Sequence, residues 1–343
     1  MKMIEKVNQD KNTDRYIQWI YDSENFTLNR FLNKDETLSL LNYSQIITYS
    51  AGEIILKQGI KSEGIFIVIE GNVNVTERIL DKSKFPLGVL SQGSFLGAIS
   101  YIADEPSHTS FIAGENVTCL FISKIYLSMV SLISPMIHYK IIRAITHQVC
   151  NHLKNLNQRV SEFIASSDMS KLSLYGRVVH SISKPSSVPP EESDKYKEIL
   201  IKNVNYFDLE EWNTLFRQCQ FLDAPKNCKI ISESEKNTTC HIVIRGAIQS
   251  SIMRSNRLAK LSVIGPYTLL ANLCLENTPF AITFIACEKS ILLKMNEVHL
   301  KSIEVNQPLL WYKLYNLICK SVVALQRSVD KLDSRLQIEN YNR

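Results

Sequence analysis

The feature that most limits what this chain can fold into is a recurrence at a spacing of about 173 residues. Val68-Ile69-Glu70-Gly71 reappears as Val243-Ile244-Arg245-Gly246 at an offset of 175. Gly93-Ser94-Phe95 reappears as Gly265-Pro266-Tyr267 at 172, and Pro106 and Val149 reappear as Pro279 and Val322, both at 173. A near-constant offset over so long a span marks two copies of one unit, too long and too few for a solenoid, hence tandem lobes. The 343 residues are length enough for about two domains.

Each copy reads as short strands punctuated by glycine turns. In the first, Ile46-Ile47-Thr48-Tyr49 precedes the turn Ser50-Ala51-Gly52-Glu53, then Ile54-Ile55-Leu56 and the turn Gln58-Gly59. Gly64 to Gly71 reads as a buried strand, and Val73 to Thr76 alternates polar and apolar with the period of a half-buried strand. Pro86 to Leu90 and Val117 to Ile122 complete the set. Phe31 to Glu36 opens a helix with acidic residues in its first turn, and Leu38, Leu40 and Leu41 carry its apolar face. Such strands predict a mainly β, α+β chain of two jelly-roll sandwiches, each with flanking helices and a long C-terminal helix. The expected divisions are a helical lead-in over 1–30 (Tyr16, Trp19, Ile20 and Phe26 facing the lobe), lobe 1 over 31–163, a Ser- and Pro-marked linker over 164–200 with a short helix at Leu172–Ile182, and lobe 2 over 201–343.

The stretch Gly93 to Gly114 reads as strand end, tight turn, short helix, Pro-marked loop and new strand. It resembles the phosphate-binding cassette of the cyclic-nucleotide-binding-domain family, and the likeness extends over about residues 31–160. That family writes Phe-Gly-Glu-Leu-Ala, a gap, then Pro-Arg-Thr-Ala. The resemblance implies that the Glu accepts from the ribose 2′-hydroxyl and the Arg pairs with the cyclic phosphate. Here Leu96-Gly97-Ala98 stands for Phe-Gly-Glu and Pro106-Ser107 for Pro-Arg. A charged hydrogen bond from a guanidinium is worth about 1.5–3 kcal/mol; Ser107 offers one neutral hydroxyl, and Ala98 offers the ribose nothing. The degenerate ligand-binding set in lobe 1 is thus Gly97, Ala98, Ile99, Ser107, His108 and Thr109. In lobe 2 Leu269 and Leu270 are read at the Gly-Glu positions and Phe280 at the Arg position, which makes that site apolar.

Ser134-Pro135 starts a long helix whose apolar residues Ile137, Ile141, Ile145, Val149, Leu153, Leu156, Val160 and Phe163 end in a heptad seam. The second copy ends likewise, with Val322, Leu325, Val329, Leu332 and Leu336. Regulators of the catabolite-activator type, which share the sensor fold, dimerise through this helix. The seams are therefore expected to pair within the chain as a pseudo-dimer, or between chains as a homodimer.

Several classes are set aside. The net charge of +5 is mild, Met1 to Asp10 has no apolar core of a signal peptide, and no run of about 18 apolar residues spans a membrane. The eight cysteines form no Cys-x-x-Cys and read as buried thiols of a reducing compartment. The seven histidines lack metal spacing, and no nucleophile elbow, P-loop or dinucleotide fingerprint is present. No helix-turn-helix follows either seam, which argues against DNA. Met1 to Arg30 has no Arg-Arg inhibitor segment of the kind a kinase regulatory subunit requires. The expectation is a cytoplasmic, bacterial, non-enzymatic adaptor, scaffold or assembly subunit with protein partners and no cofactor or metal. Its rival is a sensor in which lobe 1 binds a cyclic nucleotide or related small molecule.

Overall fold

A computed structural model describes residues 4–6, 20, 26–78, 84–166, 183–233, 235–236, 238–254, 257–272 and 282–341. The chain divides into two compact units, Met1–Val149 and Cys150–Arg343.

The first unit begins with strand β1 (Ile4–Lys6), then helix α1 (Lys34–Asn42). Asn33 caps α1: its side chain accepts from the Glu36 amide, and Glu36 accepts in return from the Asn33 amide, both at 2.9 Å. Strands β2 (Gln45–Tyr49), β3 (Ile54–Leu56), β4 (Gly64–Glu70), β5 (Val73–Arg78), β6 (Lys84–Leu90) and β7 (Phe95–Leu96) lead to the short helix α2 (Ala98–Ala103). Then come β8 (Ser110–Ala113), β9 (Val117–Ser123), helix α3 (Lys124–Ile133) and the long helix α4 (Pro135–Ser166). One antiparallel sheet runs β1-β2-β9-β4-β7, the other β3-β8-β5-β6. Ile47, Tyr49, Phe66, Val68, Val73, Leu96, Val117 and Cys119 fill the space between them. Burial of this apolar surface is the main force that closes the sandwich.

The second unit contains β10 (Ser186–Ser187), α5 (Pro190–Asn203), α6 (Leu209–Phe216), β11 (Gln220–Ala224), β12 (Lys229–Ile231), β13 (Thr239–Arg245), β14 (Ile248–Arg254) and β15 (Arg257–Ile264). It closes with β16 (Leu269–Asn272), β17 (Thr283–Ala286), β18 (Ser290–Met295), α7 (Glu297–Asn306) and α8 (Pro308–Tyr341). Its sheets run β10-β11-β18-β13-β16 and β12-β17-β14-β15, which is the strand order of the first unit. The agreement reaches side chains. Asp208 and Glu211 form a capping box as Asn33 and Glu36 do, and Lys313 meets Glu211 at 2.7 Å as Lys140 meets Glu36 at 2.6 Å.

The described chain departs from the expectation in three places. The lead-in contains a strand, because β1 finds a hydrogen-bonding partner in β2, with Ile4 opposite Ile47. Ser186 to Asn203 is not linker. Pro189 and Pro190 start α5, with Pro190 at the position where a missing amide costs a helix nothing, and β10 pairs with β11. The unit boundary falls inside α4 and not at residue 163. Ile20 and Phe26 are buried. Tyr16, Trp19 and the helix expected at 172–182 lie outside the described residues, as does the side chain of Phe163.

Candidate functional site: the cassette of lobe 1

Lobe 1 holds the cassette between β7 and β8. Gly97 caps α2 in the left-handed conformation, φ 76°, and a Cβ there would meet Ser62 Oγ at 2.9 Å. Ala98 is buried behind it and Ile99 is half-buried. The helix ends at Asp104, also left-handed at φ 54°, whose carboxylate takes Lys124 Nζ at 2.6 Å and Lys61 Nζ at 3.6 Å. The Lys124 hydrogen bond and charge hold the Asp104 carboxyl below its ordinary range. Ser100 Oγ donates to the Glu105 carbonyl and closes the turn.

Ser107 stands where the resemblance implies an arginine, and it is buried. Its amide donates to the Ile60 carbonyl at 3.0 Å, its carbonyl accepts from the Gly59 amide at 2.8 Å, and its hydroxyl donates to the Thr109 carbonyl at 2.8 Å. All three polar groups of the residue are thus used: its backbone ties the loop to the Gly59–Ile60 turn, and its hydroxyl closes on the loop itself. The next residue, His108, is exposed and lies 4.0 Å from Glu105, and Thr109 is half-buried. Gly97, Ala98, Ile99, Ser107 and Thr109 form a backbone frame with neutral side chains, and Lys61 and Lys124 are paired with Asp104.

Two contacts behind the cassette had no sequence signal. Gln148 of α4 grips the β7 backbone from both sides, accepting from the Phe95 amide at 2.8 Å and donating to its carbonyl at 3.1 Å. The Tyr101 hydroxyl of α2 meets His138 Nε2 of α4 at 3.2 Å. Burial pushes the Tyr101 phenol up to about 12 and lowers the His138 imidazole, so both are neutral partners at neutral pH.

Residues 46–130 match the family model described as the cyclic nucleotide-binding domain. The first lobe has the fold of that family. A 110-residue stretch, 32% of the chain, is 29% identical to a cGMP-dependent protein kinase of Plasmodium berghei, of which it spans 12%. Among solved structures, the regulatory domain of Toxoplasma gondii PKA with cAMP is similar at 12% identity over 97% of this chain and 99% of that one, with a TM-score of 0.33. A cyclic nucleotide-binding domain from Methylobacillus flagellatus is similar at 18% identity, covering 43% of this chain and 83% of that one, with a TM-score of 0.39. The chain thus spans only a small part of the curated relative.

In lobe 2 the hydrogen-bond register corrects the residue assignment made from sequence. The Gly93 amide donates to Val68 and the Tyr267 amide to Val243, while Ser94 and Thr268 each accept from those same valines. Phe95 and Leu96 lie opposite Ile67 and Phe66, and Leu269 and Leu270 lie opposite Ile242 and His241. Leu269 and Leu270 therefore match Phe95 and Leu96, and the residues matching Gly97 and Ala98 are Ala271 and Asn272. The Gly265-Pro266 turn had drawn the alignment two residues out of step. Phe280 lies outside the described residues. Opposite Leu270, His241 is fully buried, its Nδ1 has no hydrogen-bond partner, and burial holds its imidazole down to about 3.

The seams are spent on packing. Val149 is buried in the first unit. Leu153, Leu156 and Val160 of α4 share one buried cluster with Leu325, Val329 and Leu336 of α8 and with the second sandwich; Leu332 packs against its edge, and Val322 is also buried. Arg159 reaches Asp333 at 2.9 Å and His152 reaches Asp330 at 3.5 Å along the same helix pair. Among the described residues no group of three His, Cys, Asp or Glu could hold a metal ion, and no helix is long and apolar enough to cross a membrane.

Proposed function

We propose that this chain is a non-catalytic protein of two cyclic-nucleotide-binding-type lobes that works by association with protein, as an adaptor, scaffold or assembly subunit. In this reading the lobe 1 pocket no longer takes a cyclic nucleotide. The observation that carries it is Ser107, whose amide and carbonyl are committed to the Gly59–Ile60 turn and whose hydroxyl is committed to its own loop. A cyclic phosphate entering a partly buried pocket needs a permanent donor charge, and a serine locked in this way supplies none. Ala98 likewise leaves the ribose without an acceptor.

The second reading is a ligand-gated sensor. The observation in its favour is the kept frame: left-handed Gly97, and the Gln148 and Tyr101–His138 contacts that tie α4 to the cassette. Calorimetric titration with cyclic AMP and cyclic GMP separates the two, with Ala98→Glu/Ser107→Arg run alongside. The scaffold reading expects no heat from the natural chain and micromolar binding by the double variant. Micromolar or tighter binding by the natural chain would overturn it.

A further inference from the structure

Between α6 and α7 lobe 2 has a cleft of about 290 Å³. Thr214, Arg217 and Gln218 line it from the end of α6 and the turn after it, and His299, Ser302 and Asn306 line it from α7. No acidic side chain lines it. The same place in lobe 1 is occupied by rings. The helix caps fix the correspondence. Ser123 accepts from the Tyr126 amide and Asn296 from the His299 amide, so His299 stands for Tyr126. The capping boxes at Asn33 and Asp208 set Thr214 against Ser39 and Gln218 against Tyr43. In lobe 1 the Tyr126 hydroxyl donates to the Ser39 carbonyl at 3.4 Å, and the Tyr43 ring stacks on Tyr126 with centroids 4.9 Å apart and 17° between the planes. At the next turns of the helix lobe 1 has Met129 and Ile133, where lobe 2 has Ser302 and Asn306. One frame thus carries a stacked aromatic pair in lobe 1 and a polar cleft in lobe 2.

We propose that this cleft binds a small aromatic carboxylate, its ring stacked on His299 where lobe 1 stacks Tyr43 on Tyr126, and its carboxylate on Arg217. Three observations select that chemistry. The first is shape. A frame that holds two stacked rings in one lobe has room for a ring in the other, where Gln218 replaces Tyr43. The second is charge. Arg217 is exposed and has no ion-pair partner among the described residues. Its planar fork matches a carboxylate. Glu211 and Glu297, acids in the first turns of the two helices, are held by Lys313 and Lys301, each at 2.7 Å. Both helices end at the cleft, and free carbonyls at a helix end favour cations. Here the Thr214 carbonyl takes the Arg217 amide, the Ile303 carbonyl the Gln307 amide and the Ser302 carbonyl the Asn306 side chain, so the guanidinium sets the sign. The third is His299 itself. It is 3% exposed, burial lowers its imidazole so that the ring is neutral, and its Nδ1 has no hydrogen-bond partner among the described residues. A buried nitrogen left in this way is uncommon in a folded protein and calls for a ligand beside it.

The inference goes beyond the association reading and does not rest on it, since no residue of the lobe 1 cassette takes part. The experiment is titration of the full chain with 4-hydroxybenzoate, read by ligand-observed NMR. Phenol supplies the ring alone and acetate the carboxylate alone. Arg217→Gln removes the charge. Gln218→Tyr/His299→Tyr writes the lobe 1 pair into lobe 2 and fills the cleft, with thermal unfolding to check that each variant is folded. The expected result is saturable binding with a dissociation constant of about 1 mM or tighter, as a ligand of this size allows. Phenol and acetate should each bind about 10-fold more weakly or worse, and Arg217→Gln should weaken the probe by about 10-fold. The tyrosine pair should abolish binding without lowering the thermal midpoint; if that pair fails to fold, Arg217→Gln, an exposed substitution, carries the test. The proposal is overturned if 4-hydroxybenzoate shows no saturable binding, if acetate binds as tightly, which would leave only a surface charge, or if binding is undiminished in the folded variants. It is also overturned if cyclic AMP displaces the probe and the variants do not weaken it, which would assign the ligand to a cyclic-nucleotide pocket.

Discussion

Lobe 1 and lobe 2 are the same backbone carried by different residues. The turn before β7 is left-handed at Gly93, φ 82°, and the equivalent turn before β16 is left-handed at Tyr267, φ 63°. The turn before β3 is left-handed at Gly52 and its counterpart at Asn227. For a residue with a Cβ that conformation costs about 1–2 kcal/mol, less for Asn. In the interior, Phe66 packs among apolar side chains where lobe 2 buries the neutral imidazole of His241. The two lobes teach that hydrogen-bond register outlasts the residues best suited to it. A strained tyrosine in lobe 2 donates the same backbone bond that a glycine donates in lobe 1.

The most demanding test of this sameness is a pair of substitutions. Gly71 and Gly246 have φ of 88° and 86°. A Cβ on the first would meet the Asn116 carbonyl at 2.5 Å, and on the second the Ser290 hydroxyl and the Lys289 carbonyl at 2.8 Å. Gly71→Ala and Gly246→Ala should each cost about 2–4 kcal/mol in denaturant unfolding. A large loss in one lobe with none in the other would break the equivalence.

Acid should separate the lobes. Unfolded His241 takes a proton below about 6.5, whereas the folded, desolvated ring resists until about 3. Between those values the unfolded chain binds the extra proton. Stability is therefore fully present above about pH 6.5 and falls, by up to about 1.4 kcal/mol per pH unit, as pH drops through this window. His138 and His299, both lowered by burial, act with the same sign. Urea unfolding at pH 7 and pH 5.5 should show the loss, and His241→Phe, which copies lobe 1, should reduce it to the part that His138 and His299 carry. An unchanged slope would mean that the ring is not the titrating group.

A smaller effect comes from exchanging the turn residues. Tyr267→Gly should stabilise lobe 2 by about 1 kcal/mol and Gly93→Tyr should destabilise lobe 1 by a similar amount. Changes of the same sign would show that the two turns are not equivalent. Smallest are the helix caps: Asn33→Ala and Asp208→Ala should each cost about 1 kcal/mol in thermal unfolding, because each loses one arm of a reciprocal box.

Much of this architecture could be read from the chain. Glycine turns and period-two runs located β2 to β5 and β9 within a few residues, and Ser134-Pro135 located the start of α4. Local signals failed where a tertiary partner decided the outcome. Pro189 and Pro190 have linker composition, yet the same fixed φ suits the first turn of α5. Gly265-Pro266 looked like the Gly93 turn, yet the bond to Val243 belongs to Tyr267. At the site, Ala98 and Ser107 stand in the sequence at the positions where the resemblance implies Glu and Arg. The internal use of the Ser107 hydroxyl was not visible there, and neither was the Gln148 clasp on β7, whose partners are 53 residues apart.

Helix α4 has a practical consequence for anyone dissecting this protein. Its first half belongs to one compact unit, while Leu153, Leu156, Val160 and Ile164 fill the core of the other. A fragment of lobe 2 that begins after residue 166 would be born with an open apolar trench where those four side chains belong. One that begins near residue 150 carries its own stopper. The sensible place to cut is in the middle of an unbroken helix, at the one point where a surveyor of secondary structure would never drive a stake.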